Sequence, residues 1–165
     1  MNFLETLQEE KSSNLRGGIY HKTQIQFTYN TNRIEGSKLS EEQTRYIYET
    51  NTLFTENGEE TTNINELLKN YNEKNNIKVF DIIEFHYGFE SIHPFQDGNG
   101  RVGRLIMFKE CLKHNIVPFI IADEFKFFYY RGLSEYPKVK GYLTDTCLPA
   151  QDKYVELMNY FEIER

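Results

Sequence analysis

The residues best equipped for chemistry lie between Ser91 and Arg104, which read Ser-Ile-His-Pro-Phe-Gln-Asp-Gly-Asn-Gly-Arg-Val-Gly-Arg. Imidazole is the side chain that takes and gives protons near neutral pH, and His93 supplies one. Pro94 lacks a backbone donor and restricts the residue before it, so a helix arriving from Phe85, His86 and Phe89 should stop near His93. Phe95 has no polar role and is expected to pin the loop into the core. Gly98 and Gly100 permit positive φ and close approach. With Asn99 they put free backbone N–H groups at the start of the next helix, an arrangement that binds phosphate. Arg101 and Arg104 stand three apart and share a face of that helix, so both can close on one anion. Asp97 adds a hard oxygen beside the expected phosphates, which suits Mg²⁺.

A base, a metal ligand, an anion nest and two cations are the parts of phosphoryl or nucleotidyl transfer. The plain alternative is a helix-to-helix loop whose Asp-Gly and Asn-Gly pairs only make turns. The coincidence of every specified position in one short stretch favours the site. Neither a Walker P-loop nor a Rossmann fingerprint occurs.

The elements that must hold this stretch are helical by their periodicity. At 165 residues the chain is most simply one domain, 1–165, with enough apolar content (39%) for a core. A net charge of −6 without any basic stripe argues against a nucleic-acid partner. Cys111 and Cys147 lie in apolar surroundings and read as buried thiols. No signal peptide or spanning apolar stretch is written in the sequence, which sets a cytoplasmic address and no membrane partner as the expectation, export by a signal-less route apart.

Phe3, Leu4, Leu7 and Leu15 predict a helix over 2–16, ended by Gly17-Gly18. A second runs from Ile19 through Ile25, Phe27 and Ile34 to Gly36. Ser40 and Gln43 form a capping box for a helix through Tyr48, and Asn57-Gly58 within 52–62 signals a hairpin. Asn63 and Glu66 cap a helix reaching Tyr71, and Val79, Ile82, Ile83, His86 and Phe89 trace a face leading into the site, with His86 as a core histidine. Val102, Leu105, Ile106 and Leu112 form the buried face that follows. After a link at 116–121, Asp123 caps a helix carrying Phe125, Phe127, Phe128, Tyr129, Tyr130 and Leu133. Gly141 and Pro149 are expected to bracket a loop before a last helix, Tyr154 to Phe161. The expected class is mainly α, with seven or eight helices and one small hairpin.

The pattern His-x-Phe-x-Asp-Gly-Asn-Gly-Arg-x-x-Arg over 93–104 resembles the Fic (filamentation-induced-by-cAMP) family of nucleotidyl transferases. Thr31-Asn32-Arg33-Ile34-Glu35-Gly36 is similar to the inhibitory-helix motif of Fic proteins that carry their inhibitor at the N-terminus. The resemblance implies a Fic-type helical bundle with an inhibitory helix at about 19–36 and a β-hairpin flap at about 52–62 that holds a target strand. It implies a protein adenylyltransferase that uses ATP and Mg²⁺ and transfers AMP to a Ser, Thr or Tyr hydroxyl of a target protein or of itself. His93 would be the base and Asp97 the metal ligand. Gly98, Asn99, Gly100, Arg101, Val102, Gly103 and Arg104 would bind the phosphates, and Tyr129, Tyr130 and Leu133 would line the adenosine pocket. Glu35, with Thr31 and Gly36, would hold Arg104 and keep it from the γ-phosphate. The same resemblance leaves open the removal of AMP by a water oriented on Glu35, and a nucleotide-responsive binding module without turnover.

Overall fold

In the computed structural model, residues 3–15, 17–35, 58–95 and 97–163 are described. Helix α1, Phe3–Ser12, buries Phe3 and Leu7, which are four apart on one face. Gly17, at φ +86°, turns the chain, and α2 follows as Ile19–Ile34. Gly18 offers α2 no capping side chain. Glu10 of α1 supplies the acceptor instead: its carboxylate takes the Tyr20 backbone N–H at 2.8 Å.

The later helices are α3 Gly58–Asn72, α4 Val79–Ile92 and α5 Asn99–Lys113. A 3-10 turn at Asp123–Phe125 leads into α6, Lys126–Glu135, and α7, Gly141–Tyr160, closes the fold. That makes seven α-helices and no strand among the described residues.

Two apolar clusters hold these helices, and α5 enters both. Its Met107 and Cys111 join Ile34, Ile82, Ile83, Phe85, Tyr129, Leu143 and Cys147 in the larger one. Its Phe108 joins Phe3, Leu7, Ile19, Tyr154 and Met158 in the smaller. The helix that begins at the glycine-rich turn is therefore gripped on two sides, which fixes where its N-terminus points. Both cysteines are free and buried, and burial pushes the Cys111 thiol up to about 12.

Two expectations change. Gly141 and Pro149 do not bracket a loop; both lie in α7, which runs unbroken for 20 residues. Leu143, Thr146, Cys147, Ala150 and Tyr154 make one continuous buried face of that helix. This burial outweighs the roughly 3 kcal/mol cost of an interior proline, and Pro149 itself sits on the exposed side. Secondly, residues 58–62, the latter part of the expected flap, are the first turns of α3. The Glu-rich run extends the helical pattern of Leu67 and Tyr71 back to Gly58. Residues 52–57, together with the helix expected from Ser40 to Tyr48, lie outside the described residues.

Close packing of α6 on α7 depends on Gly132. A Cβ there would come within 2.7 Å of Leu143 Cα and 2.9 Å of its nitrogen, both backbone atoms that cannot turn aside. Gly132→Ala is expected to cost about 1–3 kcal/mol despite alanine's better helix propensity. Thermal melting should then fall by several degrees; an unchanged or higher midpoint would show that the two helices can part cheaply.

Candidate active site

Pro94 ends α4, and His93 caps it in the left-handed region at φ 54°. In that conformation the ring turns back on its own helix, with Nδ1 2.8 Å from the Glu90 carbonyl. A carbonyl only accepts, so Nδ1 carries the proton and Nε2 keeps its lone pair. The side chain is exposed. His93 is thus held in the tautomer that leaves the outer nitrogen able to take a proton.

The turn into α5 is built by its own side chains. Asn99, 4% exposed, accepts from the Phe95 N–H at 2.9 Å and donates to the Phe95 carbonyl at 2.6 Å. That clamp fixes the loop to the first helical turn. Gly98 stands at φ +81°, a conformation that suits glycine, and its N–H is taken by Asp97 Oδ1 at 2.7 Å. Arg101 folds back to Asp97 Oδ2 at 3.1 Å. Asp97 is 91% exposed, a lone hard carboxylate at the mouth of the turn. Among the described residues no group of three or more His, Cys, Asp or Glu could hold a metal by itself.

Arg104 lies beneath, 3% exposed, and its contacts come from two helices. Its Nε donates to Thr31 Oγ1 at 2.7 Å, and Nη2 to the Thr31 carbonyl at 3.0 Å and to Glu35 Oε1 at 2.8 Å. Nη1 points to the Tyr129 hydroxyl at 3.4 Å. The Glu35 pairing is therefore a single contact rather than a two-pronged fork, because Thr31 occupies the rest of that edge. A Cβ on Gly100 would collide with Glu35 Oε1 and lie 3.0 Å from Arg104 Nη1. Glycine at 100 is what lets a carboxylate rest against the first turn of α5. Glu35 thereby sits where that turn would receive an anion.

Helix α2 is fastened in this position along its length. Thr23 Oγ1 and the Tyr154 hydroxyl are 2.6 Å apart, Asn30 Oδ1 accepts the Asp123 N–H at 3.0 Å, and the Tyr130 hydroxyl donates to the Ile34 carbonyl at 3.2 Å.

Of the residues read from sequence, the structure brings Thr31, Glu35, Gly100 and Arg104 into contact. His93, Asp97, Gly98, Asn99 and Arg101 line the adjoining turn. Gly36 lies outside the described residues. Gly103 faces away from the turn: a Cβ on it would collide with Glu90 and reach 3.1 Å from both His86 Cε1 and Phe89 Cδ1, so it serves the packing of α4 on α5. Val102 is half-buried on the same helix. Tyr129 does not form an open wall. It is fully buried, with its hydroxyl 2.9 Å from His86 Nε2, because α6 turns position 129 inward with its i+4 neighbour Leu133. Tyr130, one step round the helix, is 41% exposed.

Glu90 was absent from the sequence-based site, though a lone carboxyl on an otherwise apolar helix face was a signal for it. One of its oxygens is buried without a hydrogen-bond partner among the described residues. Burial raises its pKa to about 7; Arg104 draws it down, Glu35 pushes it up, and His93 draws it down. The folded protein therefore holds a proton on Glu90 that the unfolded chain releases at lower pH. Stability from this group is greatest below its ordinary pKa of 4.5 and is lost as pH rises toward about 7. The loss is on the order of 3 kcal/mol between those limits. Denaturant melts at pH 5 and pH 8 should show this fall, and Glu90→Gln should flatten it. An equally steep fall in the variant would place the titrating group elsewhere.

Comparison with known proteins gives the family and the fold. The profile of the Fic/DOC family matches residues 19–111, more than half of the chain, from α2 through the glycine-rich turn into α5. A stretch of 36 residues is 53% identical to a probable protein adenylyltransferase of Aquifex aeolicus, covering 19% of this chain and 11% of that protein. The chain thus spans about a tenth of that relative's length. Among solved structures, Fic-1 of C. elegans is similar at a TM-score of 0.50 and 19% identity, over 94% of this chain and 71% of that one. A Fic domain containing signaling protein from Bacteroides thetaiotaomicron is similar at a TM-score of 0.55 and 17% identity, over 94% of this chain and 90% of that one. At these identities the structural likeness concerns the fold. Matched by the family's own pattern over most of the segment that builds the site, and sharing its helical architecture, the chain belongs to the Fic/DOC family.

Proposed function

We propose that the protein is an adenylyltransferase that moves AMP from ATP to a hydroxyl side chain of a protein, itself included, and that Glu35 restrains it. The observation that carries this reading is the Glu35 carboxylate on Arg104 at 2.8 Å, lodged against Gly100 at the first turn of α5. A carboxylate at that spot stands in for a phosphate. The name of the Aquifex aeolicus relative, a probable protein adenylyltransferase, points the same way.

In this reading His93 Nε2 takes the proton of the target hydroxyl as its oxygen bonds to the α-phosphorus, and pyrophosphate departs with the electron pair of the broken bond. Backbone N–H groups of Asn99 and Gly100, and that of Gly98 once Asp97 releases it, meet the charge that builds on the α-phosphate oxygens. Arg101 and Arg104 take the outer phosphates. Asp97 fits a Mg²⁺ site of the kind that uses one carboxylate, waters and substrate phosphates, since it is exposed and its partners, Arg101 and the Gly98 N–H, are at the same turn. When bound, Mg²⁺ would neutralise phosphate charge. Tyr130 and Leu133 are the residues proposed beside the adenosine.

Among the described residues, no helix is long and apolar enough to cross a membrane. The test is to incubate Glu35→Gly protein with labelled ATP, GTP, CTP and UTP in parallel and to locate the label by mass spectrometry. An adenylyl group on a Ser, Thr or Tyr supports the reading. Labelling only by another nucleotide, or tight ATP binding with no product, would replace it with a different transferase or a binding module.

A further inference from the structure

We infer that Tyr129 and His86 are positioning residues for Arg104, holding the guanidinium from its Nη1 side so that it stays at the anion turn when Glu35 leaves. The inference rests on the reading of Arg104 as a phosphate ligand.

Neither side chain is what a plain core would contain. Tyr129 is fully buried and His86 is 1% exposed, yet they share a hydrogen bond of 2.9 Å, and a buried arginine stands beside them. Phenylalanine and leucine would fill the same space without polar atoms to satisfy. The direction of the chain follows from what each group can do. Arginine only donates, so the Tyr129 oxygen accepts from Arg104 Nη1 at 3.4 Å, while the Arg104 Cζ lies 5.5 Å from the centre of the tyrosine ring. The hydroxyl proton then goes to His86 Nε2. In this arrangement His86 is neutral, with its own proton on Nδ1, which is buried without a hydrogen-bond partner among the described residues.

The surroundings enforce that state. Burial, aided by the Arg104 charge, pushes the His86 pKa down to about 3, against the pull of the Gly103 carbonyl. Burial likewise raises the Tyr129 phenol well above its ordinary value. A protonated His86 would turn the tyrosine hydroxyl proton toward Arg104 and break the arrangement.

The partition of contacts gives the chain its purpose. Thr31, in α2, and Glu35, which caps the C-terminus of α2, hold Nε and Nη2. Tyr129 belongs to α6, and His86 to α4, both locked in the core cluster that also holds α5. Any withdrawal of α2 removes every α2 contact and leaves Tyr129 as the polar partner that keeps the guanidinium in register. A phosphate can then take the vacated edge of an arginine that is already in place.

Two measurements test this. ¹⁵N NMR of the unsubstituted protein should show His86 as the Nδ1–H tautomer, unchanged from pH 8 to pH 5. Titration near its ordinary 6.5, or an Nε2–H tautomer, would overturn the inference whatever the enzyme does. In Glu35→Gly protein, adding Tyr129→Phe should raise KM for ATP about tenfold and leave kcat within about twofold, the pattern of a lost ground-state contact. An unchanged KM, or a fall in kcat alone, would contradict it. If the Glu35→Gly protein neither binds nor uses ATP, the phosphate reading fails. The His86 tautomer and the exchange of the Arg104 Nη1 protons, which should quicken in Tyr129→Phe, still decide whether the chain positions Arg104.

Discussion

Replacing His93 with alanine is expected to lower AMP transfer by a factor of about 10² to 10⁴ while leaving ATP binding nearly unchanged, the range typical for loss of a general base. The side chain is exposed and makes one hydrogen bond among the described residues, from Nδ1 to the Glu90 carbonyl. Its removal takes little from the core, so a large loss of rate with an intact melting curve isolates chemistry from folding. Single-turnover transfer from labelled ATP in the Glu35→Gly background is the measurement. A variant with the parent's rate would remove His93 from the reaction and leave the target's hydroxyl to lose its proton by another route.

Glu35→Gly should act in the opposite direction. The wild-type carboxylate cancels the charge of Arg104 at 2.8 Å and lies against Gly100, so an arriving phosphate meets both an occupied place and a like charge. Like-charge juxtaposition costs several kcal/mol, and each 1.4 kcal/mol is about tenfold in affinity. An increase in ATP affinity of roughly tenfold or more is expected, with a matching rise in self-labelling.

The same change should weaken the apo protein, because a buried arginine loses its anionic partner. The penalty is limited by the Thr31 and Tyr129 contacts that remain and by the 30% exposure of the Glu35 side chain. Adding ATP and Mg²⁺ should recover the lost melting temperature by mass action. Calorimetry and melting curves read both effects. If affinity and labelling stay at wild-type levels, restraint through Glu35 is wrong, however good the contact looks.

What could be read from sequence divides along physical lines. The turn at 93–104 was legible because its requirements are local. Gly98 must reach positive φ, Gly100 must let a carboxylate come close, and Pro94 must end a helix. The helices were legible wherever an apolar face repeats, as with Ile82, Ile83 and Phe89 in α4. The meeting of Glu35 with Arg104 joins residues 69 apart, and only the family resemblance anticipated it.

The burial of Tyr129 could not be read from the sequence because α6 carries aromatics on every side. Phe127 and Phe128 are 74% and 52% exposed while Tyr129 is fully buried, and no periodicity separates them. Pro149 misled because the cost of an interior proline is written in the sequence, whereas the buried face that offsets it forms only on folding. Glu90 escaped because its environment is assembled by Gly103 and Arg104 from the neighbouring helix.

Where the phosphates go decides what Arg104 and the glycine-rich turn do. A crystal structure of the Glu35→Gly protein grown with ATP and Mg²⁺ answers this most directly. It should place the α-phosphate against the backbone of Gly98 to Gly100 and the outer phosphates within hydrogen-bonding reach of Arg104, with His93 Nε2 facing the α-phosphorus. Nucleotide bound elsewhere, with that turn empty and Arg104 still held by Thr31 and Tyr129, would contradict it.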